Sequence, residues 1–313
     1  MTTISIDLGG SRLKSALIRD GKILESAISP VDSAGGFSRQ LQTVEREVNR
    51  LRGLGEAQGI GMAFPGLVNP SACRVISANG KYEDAVHFDF GTWAREKFRL
   101  PLVLENDANA ALLGEIHYGR GKGTDNAVLM ILGTGIGTAA MMEGKLVRGK
   151  HFQAGCLGGH ISVETLGKGR KCTCGSKGCA ETLGGTWGLD SIAKQDENFG
   201  MSGLAREKII DYQALAKWEK AGDGLAHRLM EESIDVWSTC AVNLIHAYDP
   251  DILILSGGVL RLGERLTIPV RESIERYAWT PWGTVQVRPA EAPEYSIVLG
   301  LHELVLTNNM NDK

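Results

Sequence analysis

The sequence predicts an α/β protein built from two duplicated domains that flank a cleft. Two observations support this prediction. Segments with the alternating or β-branched pattern of strands take turns with segments of helical periodicity, and a strand–turn–strand segment that begins at Ile4 recurs at Ala127. Because each copy opens a stretch of strands and helices, we expect two α/β domains of related topology.

The composition is that of an ordinary globular protein. Of the 313 residues, 43% are hydrophobic and 23% are charged, which is enough apolar material for two cores. The formal net charge is −3 and no block of like charges occurs, which argues against a nucleic-acid or anionic-membrane surface.

The longest apolar runs and the first residues bear on localisation. The runs AVLMIL and ILIL are too short to span a bilayer. The first residues, MTTISIDLGG, lack the basic region and the long apolar region of a secretion signal. We therefore expect a cytoplasmic protein that binds neither nucleic acid nor membrane.

The internal repeat aligns glycine with glycine and lysine with lysine. ISIDLGGSRLKSALIRDGKIL, from Ile4 to Leu24, can be laid over AVLMILGTGIGTAAMMEGKLV, from Ala127 to Val147. The aligned pairs are Gly10 with Gly133, Gly21 with Gly144 and Lys22 with Lys145. Each copy has the pattern of an antiparallel hairpin, and the spacing of the copies is too long for a solenoid repeat. We expect a smaller domain over residues 1–117 and 297–313 and a larger one over 118–296.

The remaining elements follow from periodicity. Leu41, Val44, Val48 and Leu51 recur at helical spacing, and apolar or β-branched runs indicate strands. In chain order we predict a helix in 35–54, a strand in 58–66, a helix in 90–100, a strand in 101–107 and a helix in 108–119; then helices near 186–197 and 203–219, a helix over 225–248, a strand in 251–258 and a closing helix over 294–309.

The segment HISVETLGKGRKCTCGSKGCAE, from His160 to Glu181, carries a cluster of three cysteines. C-x-C spacing strains a direct disulfide, a redox C-x-x-C is absent, and a reducing compartment disfavours disulfides. Three thiolates on a glycine-rich turn, with His160 upstream, match a structural zinc site of Cys3His type. Free thiols are the alternative. The scattered Cys73, Cys156 and Cys240 are expected to be small buried side chains.

Glycine turns suggest phosphate binding. DLGGSR begins at Asp7 and LGTGIGT at Leu132, each between two strands, so neither has the strand-to-helix context of a P-loop or a Rossmann turn. Glycine lets a backbone approach a phosphate closely. Two such turns in matching positions suggest a nucleotide held from both domains. LILSGGV, from Leu253, adds a third turn at the carboxyl end of a strand.

Asn106 and Asp107 stand at a strand-to-helix junction in ENDANAALLGE. One interpretation makes Asp107 or Asn109 only the cap of the helix. The other makes Asp107 a general base that accepts the proton of a substrate hydroxyl during phosphoryl transfer, with Asp7 serving the Mg2+ and phosphate side.

These residues together resemble the ROK family of sugar kinases and repressors. The motifs are Asp7-Leu-Gly-Gly-Ser, FPGLVNP, ENDANAA, LGTGIGT and the C-x-C-G-x-x-G-C-x-E run that ends at Glu181, and they cover residues 7 to about 260 in the family's order. The resemblance implies an actin/hexokinase-like (ribonuclease H-like) fold, ATP, Mg2+, zinc and transfer of the γ-phosphoryl group to a hexose, usually at the 6-hydroxyl. A homodimer is also expected.

The resemblance assigns roles to residues of this chain. Asp107 is the expected catalytic base. The expected sugar contacts are Gly66, Asn106, Asp107, His160 and Glu181, and the zinc ligands are His160, Cys172, Cys174 and Cys179. For ATP we expect Asp7, Gly9, Gly10, Ser11, Lys14, Gly133, Thr134, Gly135 and Gly137 at the phosphates and Gly257 and Gly258 near the adenosine.

One departure from the family pattern concerns sugar choice. The family usually has E-x-G-H at the zinc histidine, with the Glu on the sugar, whereas this chain has AGCLGGH with Cys156 and Leu157 in that place. This loss motivates one alternative, a non-catalytic sugar sensor or scaffold. A repressor without its DNA-binding domain is the least favoured alternative, since only six residues precede Asp7.

Overall fold

The computed structural model describes residues 1–78, 80–165 and 167–311, with the backbone alone for 309–311. The chain divides into two compact units. The first comprises Met1–Gly123, Arg148–Ala154 and Glu291–Lys313, and the second comprises Thr124–Val147 and Gly155–Ala290. The domain limits expected from the sequence stay a prediction.

The first unit opens with a hairpin and continues with alternating helices and strands. Its elements up to residue 118 are β1 (Thr2–Leu8), β2 (Arg12–Arg19), β3 (Lys22–Pro30), α1 (Phe37–Arg52), β4 (Ile60–Phe64), β5 (Leu67–Asn69), β6 (Arg74–Ser77), α2 (Phe90–Phe98), β7 (Leu102–Asn106) and α3 (Asp107–Tyr118). The helices and strands predicted for this stretch are confirmed. The short β5–β6 hairpin was not predicted, because three or four residues are too few to show a period.

The first sheet has the strand order β3-β2-β1-β4-β7. β1, β2 and β3 are antiparallel neighbours, whereas β1, β4 and β7 run parallel. One face is covered by α1, whose buried residues Phe37, Val44, Val48 and Leu51 follow the helical period. The carboxyl ends of three parallel strands therefore lie at one edge of the sheet.

The second unit repeats this plan. Its elements are β8 (Ala127–Leu132), β9 (Ile136–Met142), β10 (Lys145–Leu146), α4 (Ala180–Gly184), α5 (Thr186–Lys194), α6 (Tyr212–Lys220), α7 (Gly224–Tyr248), β11 (Ile252–Ser256), α8 (Glu264–Tyr277) and β12 (Gln286–Pro289). The sheet order is β10-β9-β8-β11-β12, with an antiparallel hairpin followed by parallel β8, β11 and β12. The two sheets thus share one arrangement, as the sequence repeat predicts.

Helix α7 supplies much of the second core. Trp237 is fully buried, its indole N–H donates to the Gly184 carbonyl at 2.9 Å, and its ring lies 4.8 Å from that of Tyr212.

The chain ends with α9 (Pro293–Asn311), which belongs to the first unit. Within the described residues, no helix is both long enough and apolar enough to cross a membrane.

One prediction for the second unit needs correction, and one helix was not predicted. The helix expected over 203–219 begins only at Tyr212, because Asp211 caps α6 and residues 203–206 form a 3-10 turn. Helix α8 was not predicted, since Pro269 lies inside it and proline normally disfavours a helix interior.

Helices α3 and α9 pack backbone against backbone. A Cβ on Gly300 would lie 1.8 Å from the Ala110 carbonyl oxygen, and a Cβ on Gly114 would lie 1.9 Å from the Ser296 carbonyl oxygen. Contact this close excludes any side chain at either position. Because α3 begins at Asp107, the close packing of α9 against α3 also limits the position of that residue.

We expect Gly300→Ala to lower the free energy of unfolding by about 3 kcal/mol, the upper part of the range for overpacked cores, since α3 and α9 must separate. Chemical denaturation measures this change. Gly224→Ala is the matched control: Gly224 opens α7, and its Cβ would meet no atom within 4 Å. That control should change stability by less than about 1 kcal/mol. Equal effects of the two substitutions would contradict the close contact of α3 with α9.

Candidate functional site

Asp7, Gly66 and the Asn106–Asp107 pair lie at one edge of the first sheet. Asp7 is the penultimate residue of β1 and pairs with Ala63, and Phe64 of the same neighbouring strand pairs with Asn106. Gly66 lies two residues beyond the end of β4. The parallel strands therefore bring together residues that are far apart in the chain, at the edge where α/β sheets place their ligands.

Asn106 is the cap of α3. Its side-chain oxygen accepts hydrogen bonds from the N–H groups of Ala108 and Asn109 at 3.0 and 3.1 Å. Its amide nitrogen donates to the Gly66 carbonyl and to Asp107 Oδ1, both at 3.0 Å. The interpretation of Asp107 or Asn109 as the cap is thus wrong. Asp107 is the first residue of the helix, and capping does not explain its carboxylate.

The carboxyl groups of Asp7 and Asp107 lie in a desolvated and mutually repulsive environment. Burial and the charge of Asp107 raise the pKa of Asp7 to about 7, partly offset by Lys14. Burial also raises the pKa of Asp107, opposed by the N–H of Ala108, at 2.8 Å from Oδ1, and by the positive charge of Lys81. Such shifted carboxyl groups are typical of functional sites.

An ion pair with a buried glutamate holds the end of β7. Glu105 is 1% exposed and forms a salt bridge with Arg148. Its Oε1 accepts hydrogen bonds from the backbone N–H of Asn106 at 2.9 Å and from the side chain of Asn109 at 3.1 Å. Sequence reasoning missed this pair. A glutamate at the end of an apolar strand was the available signal, but its partner comes from a distant segment.

The first glycine turn has all its carbonyl groups engaged by the protein. The Gly9 carbonyl accepts from Tyr82 Oη at 2.8 Å, that of Gly10 from the Ser33 N–H at 3.0 Å, and that of Ser11 from the Val31 N–H at 3.1 Å. Among the described residues, the N–H groups of Gly10 and Ser11 have no acceptor. The turn can therefore offer donors to an anion without exposing its carbonyl oxygens.

Lys14 lies on β2, opposite Asp7 in the hairpin register. Its ammonium donates to the Glu294 carbonyl and lies 5.8 Å from the centre of the Tyr295 ring. Burial lowers the pKa of Lys14, and the negative charge of Asp7 opposes this shift. The lysine is thus held between the sheet and the start of α9.

In the second glycine turn, as in the first, backbone carbonyl groups accept hydrogen bonds from other parts of the protein. The Gly133 carbonyl accepts from the Thr186 hydroxyl at 2.9 Å, and that of Thr134 from the Trp187 N–H at 3.1 Å. The N–H of Gly133 bonds to the Gly135 carbonyl at 3.0 Å. Gly137 lies just beyond the turn, in β9. The start of α5 therefore braces this turn.

The third glycine turn lies against the second. Gly257 has φ +93°, and a Cβ there would lie 2.2 Å from the carbonyl oxygen of Leu132, the last residue of β8. Gly258 opens the 3-10 turn that follows. The six predicted nucleotide contacts of the second unit are thereby gathered at one edge of its sheet.

The predicted metal ligands converge. Among the described residues, His160, Cys172, Cys174 and Cys179 place one ligand atom each within 4.8 Å of all the others. Cys172 Sγ lies 3.6 Å from His160 Nδ1, and Cys174 Sγ lies 3.7 Å from Cys179 Sγ. A tetrahedral ion with bonds of about 2.0–2.3 Å separates its ligand atoms by about 3.3–3.8 Å. The donor set and its spacing therefore fit zinc.

Glu181 lies at the second glycine turn. Its Oε2 accepts the Ile136 N–H at 3.2 Å, and a Cβ on Gly135 would lie 2.4 Å from it. Glu181 lies in the first turn of α4, two residues after Cys179, so the cysteine cluster is close to it in the chain.

The segment with the missing glutamate is anchored without a carboxylate. Thr138 Oγ1 donates to the Gly155 carbonyl at 2.7 Å and accepts the Gly158 N–H at 2.8 Å. Cys156 and Leu157 lie between these two hydrogen bonds. We expected the three scattered cysteines to be buried: Cys240 is buried, whereas Cys73 and Cys156 are half-buried.

Comparisons with known proteins agree with this architecture. The chain matches the model of the ROK family over residues 3–308. A glucokinase of Thermotoga maritima is 27% identical over 309 residues, 96% of each chain. A beta-glucoside kinase of Klebsiella pneumoniae is 27% identical and covers 86% of this chain and 85% of its own.

A solved structure extends the comparison to the fold. The ROK family glucokinase from Streptomyces griseus in complex with glucose and AMPPNP has a TM-score of 0.81 at 26% identity, covering 97% of this chain and 99% of its own. The predicted actin/hexokinase-like fold is confirmed. Because the family model matches nearly the whole chain, the protein belongs to the ROK family.

Proposed function

We propose that this protein is an ATP-dependent sugar kinase that transfers the γ-phosphoryl group of ATP to a hexose hydroxyl. The hydroxyl that we propose is the 6-hydroxyl. The observation that carries the proposal is Asp107, a carboxylate that capping leaves unexplained, at the sheet edge shared with the Asp7–Ser11 turn. Kinase names among its relatives and a family member that holds glucose and AMPPNP support it.

Asp107 would act as the general base. It must be ionised to take the proton of the attacking hydroxyl, and its raised pKa makes the carboxylate a stronger base than an exposed one. The N-terminus of α3 and the charge of Lys81 favour ionisation, and burial opposes it. Activity should therefore rise with pH as Asp107 loses its proton.

The glycine turns would hold the phosphates of ATP. In the first unit we assign Asp7, Gly9, Gly10, Ser11 and Lys14 to this role, and the turn's free N–H groups support the assignment. In the second unit the assigned residues are Gly133, Thr134, Gly135 and Gly137, with Gly257 and Gly258 on the adenosine side.

Asp7 is our candidate for the Mg2+ side. Burial and the neighbouring Asp107 carboxylate disfavour a negative charge on Asp7, and Lys14, whose ammonium donates to the Glu294 carbonyl, offsets this only in part. A divalent cation would compensate for the remaining repulsion. When bound, Mg2+ would neutralise phosphate charge.

For the sugar we assign Gly66, Asn106, Asp107, His160 and Glu181. The side-chain amide of Asn106 already makes four hydrogen bonds within the protein, so we expect it to orient Asp107 as much as to contact sugar. In the second unit, zinc would hold His160 through Nδ1 and leave Nε2 for a hydroxyl. The ion would have a structural role, because four protein ligands leave no open position.

Cys156 and Leu157 would affect which sugar is accepted. A site that lacks one carboxylate loses a hydrogen bond to one hydroxyl, and such a loss can change specificity by large factors. We therefore expect a substrate preference other than the glucose preference of an unaltered site. An assay panel in which glucose remains the best substrate would contradict this hypothesis.

The test of the proposed function is sugar-dependent ADP release across hexoses, N-acetylhexosamines and disaccharides, with product analysis to locate the phosphate. At least one sugar should stimulate ADP release in the wild type. If calorimetry shows that a sugar binds but no sugar of the panel stimulates ADP release, the protein is instead a sensor or scaffold. The cytoplasmic location and the homodimer remain predictions.

A further inference from the structure

The segment that precedes α2 lies against the first glycine turn. Tyr82 is 1% exposed, adopts the left-handed conformation with φ +55°, and donates its hydroxyl to the Gly9 carbonyl at 2.8 Å. Its backbone N–H bonds to the Ser33 carbonyl at 3.3 Å. A buried ring and two hydrogen bonds thus fix this segment relative to the turn.

Lys81 is the residue next to this anchor. A Cβ on Gly10 would lie 3.6 Å from Lys81 Cε and 3.8 Å from Cδ, so the end of the lysine side chain runs beside the glycine turn. The side chain is otherwise exposed. Its ammonium group therefore lies near the part of the turn to which phosphate was assigned above.

The same cation acts on the proposed base. The positive charge of Lys81 lowers the pKa of Asp107, against the larger effect of burial. Lys14 has a different position: its ammonium is held by the Glu294 carbonyl, and its charge acts on Asp7. Lys81 thus combines proximity to the Gly10 turn with a charge that reaches Asp107.

We propose that Lys81 is a catalytic residue of the kinase reaction, whose ammonium group contacts the oxygens of the γ-phosphoryl group as it passes to the sugar. This inference rests on the proposed function. In the transfer, the bond from the γ-phosphorus to the β–γ bridging oxygen breaks, and the bond to the sugar oxygen forms. The hydroxyl proton goes to Asp107, ADP leaves, and Lys81 remains protonated. Its charge offsets the negative charge that gathers on the phosphoryl oxygens.

The test compares Lys81→Met and Lys81→Arg with Lys22→Met. Methionine keeps most of the length and removes the charge, and Lys22 is an exposed lysine at the start of β3, outside the site. We expect Lys81→Met to lower kcat about 100-fold, as loss of one donor to a developing charge does, with little change in the KM for sugar. Lys81→Arg should recover part of kcat, and Lys22→Met should match the wild type.

A pH profile adds a second readout. Without the Lys81 charge the pKa of Asp107 should rise, so the acidic limb of kcat/KM should move to higher pH in Lys81→Met and stay in place in Lys22→Met. Equal unfolding temperatures would show that both variants are folded.

The outcomes separate this inference from the proposed function. Wild-type kcat in Lys81→Met, or a raised KM with unchanged kcat, would overturn the role of Lys81 while the kinase assignment stands. An equal loss in Lys22→Met would also overturn it. A wild type that phosphorylates no sugar of the panel would overturn the proposed function, and the role of Lys81 with it.

Discussion

Asp107→Asn is expected to reduce kcat for sugar phosphorylation by about 10³-fold, within the range for loss of a general base. The amide cannot take the hydroxyl proton, but it retains the size of the side chain and can still accept the Ala108 N–H. Sugar binding should persist, because the Asn106 cap and its bond to Gly66 remain. ADP release at saturating sugar measures kcat, and calorimetry measures binding.

The control is Asp235→Asn, which removes an exposed carboxylate from α7 and should leave kcat unchanged. In the wild type, kcat/KM should fall as the pH decreases through the raised pKa of Asp107, because the protonated carboxyl is no base. Burial raises the pKa of Asp107, and the positive charge of Lys81 lowers it. Equal and substantial turnover in the wild type and Asp107→Asn would rule out Asp107 as the base. Equally little turnover in both, with sugar still bound, would favour the sugar sensor.

Cys172→Ala is expected to lose the bound metal and to weaken sugar binding. The wild type should contain about one zinc per chain, as four converging ligands imply. Without Cys172 the ion loses a buried ligand whose sulfur lies 3.6 Å from His160 Nδ1, so His160 is no longer held. If His160 contributes one hydrogen bond of about 1.5 kcal/mol to the sugar, KM should rise about tenfold.

Elemental analysis gives the metal content, and the kinase assay gives KM. Cys73→Ala is the matched control, since Cys73 is a half-buried cysteine outside the cluster whose thiol donates to the Leu102 carbonyl. It should retain zinc and KM. A wild type purified without zinc, or Cys172→Ala with unchanged zinc and KM, would refute the structural zinc site.

The parts of the site that were predictable are those encoded within short segments. The cysteine cluster was identified from spacing because its ligands lie within His160–Cys179, and the structure brings the four together. The glycine turns were identified because a hairpin with a glycine-rich turn has a local signature, and the repeat showed it twice. The alternation of strands and helices was likewise sufficient for the α/β class.

The parts that could not be predicted depend on long-range contacts or on competing local signals. One interpretation of the sequence made Asp107 or Asn109 the cap of α3, whereas Asn106 is the cap and also donates to the Gly66 carbonyl, a contact between distant segments. Helix α8 was missed because Pro269 opposes it locally, and packing of Leu266, Val270 and Ile274 in the second core outweighs that cost.

By itself, the sequence was sufficient to define an α/β chain with a duplicated hairpin, a four-ligand cluster and a carboxylate at a strand-to-helix junction. Each of these depends on the order and period of neighbouring residues. Only the tertiary structure joined Glu105 to Arg148, Lys81 to the Gly10 turn and Gly300 to Ala110. The physical reason is that burial, salt bridges and backbone contact are properties of distance in space, which residues far apart in the chain acquire only when the sheets and helices pack.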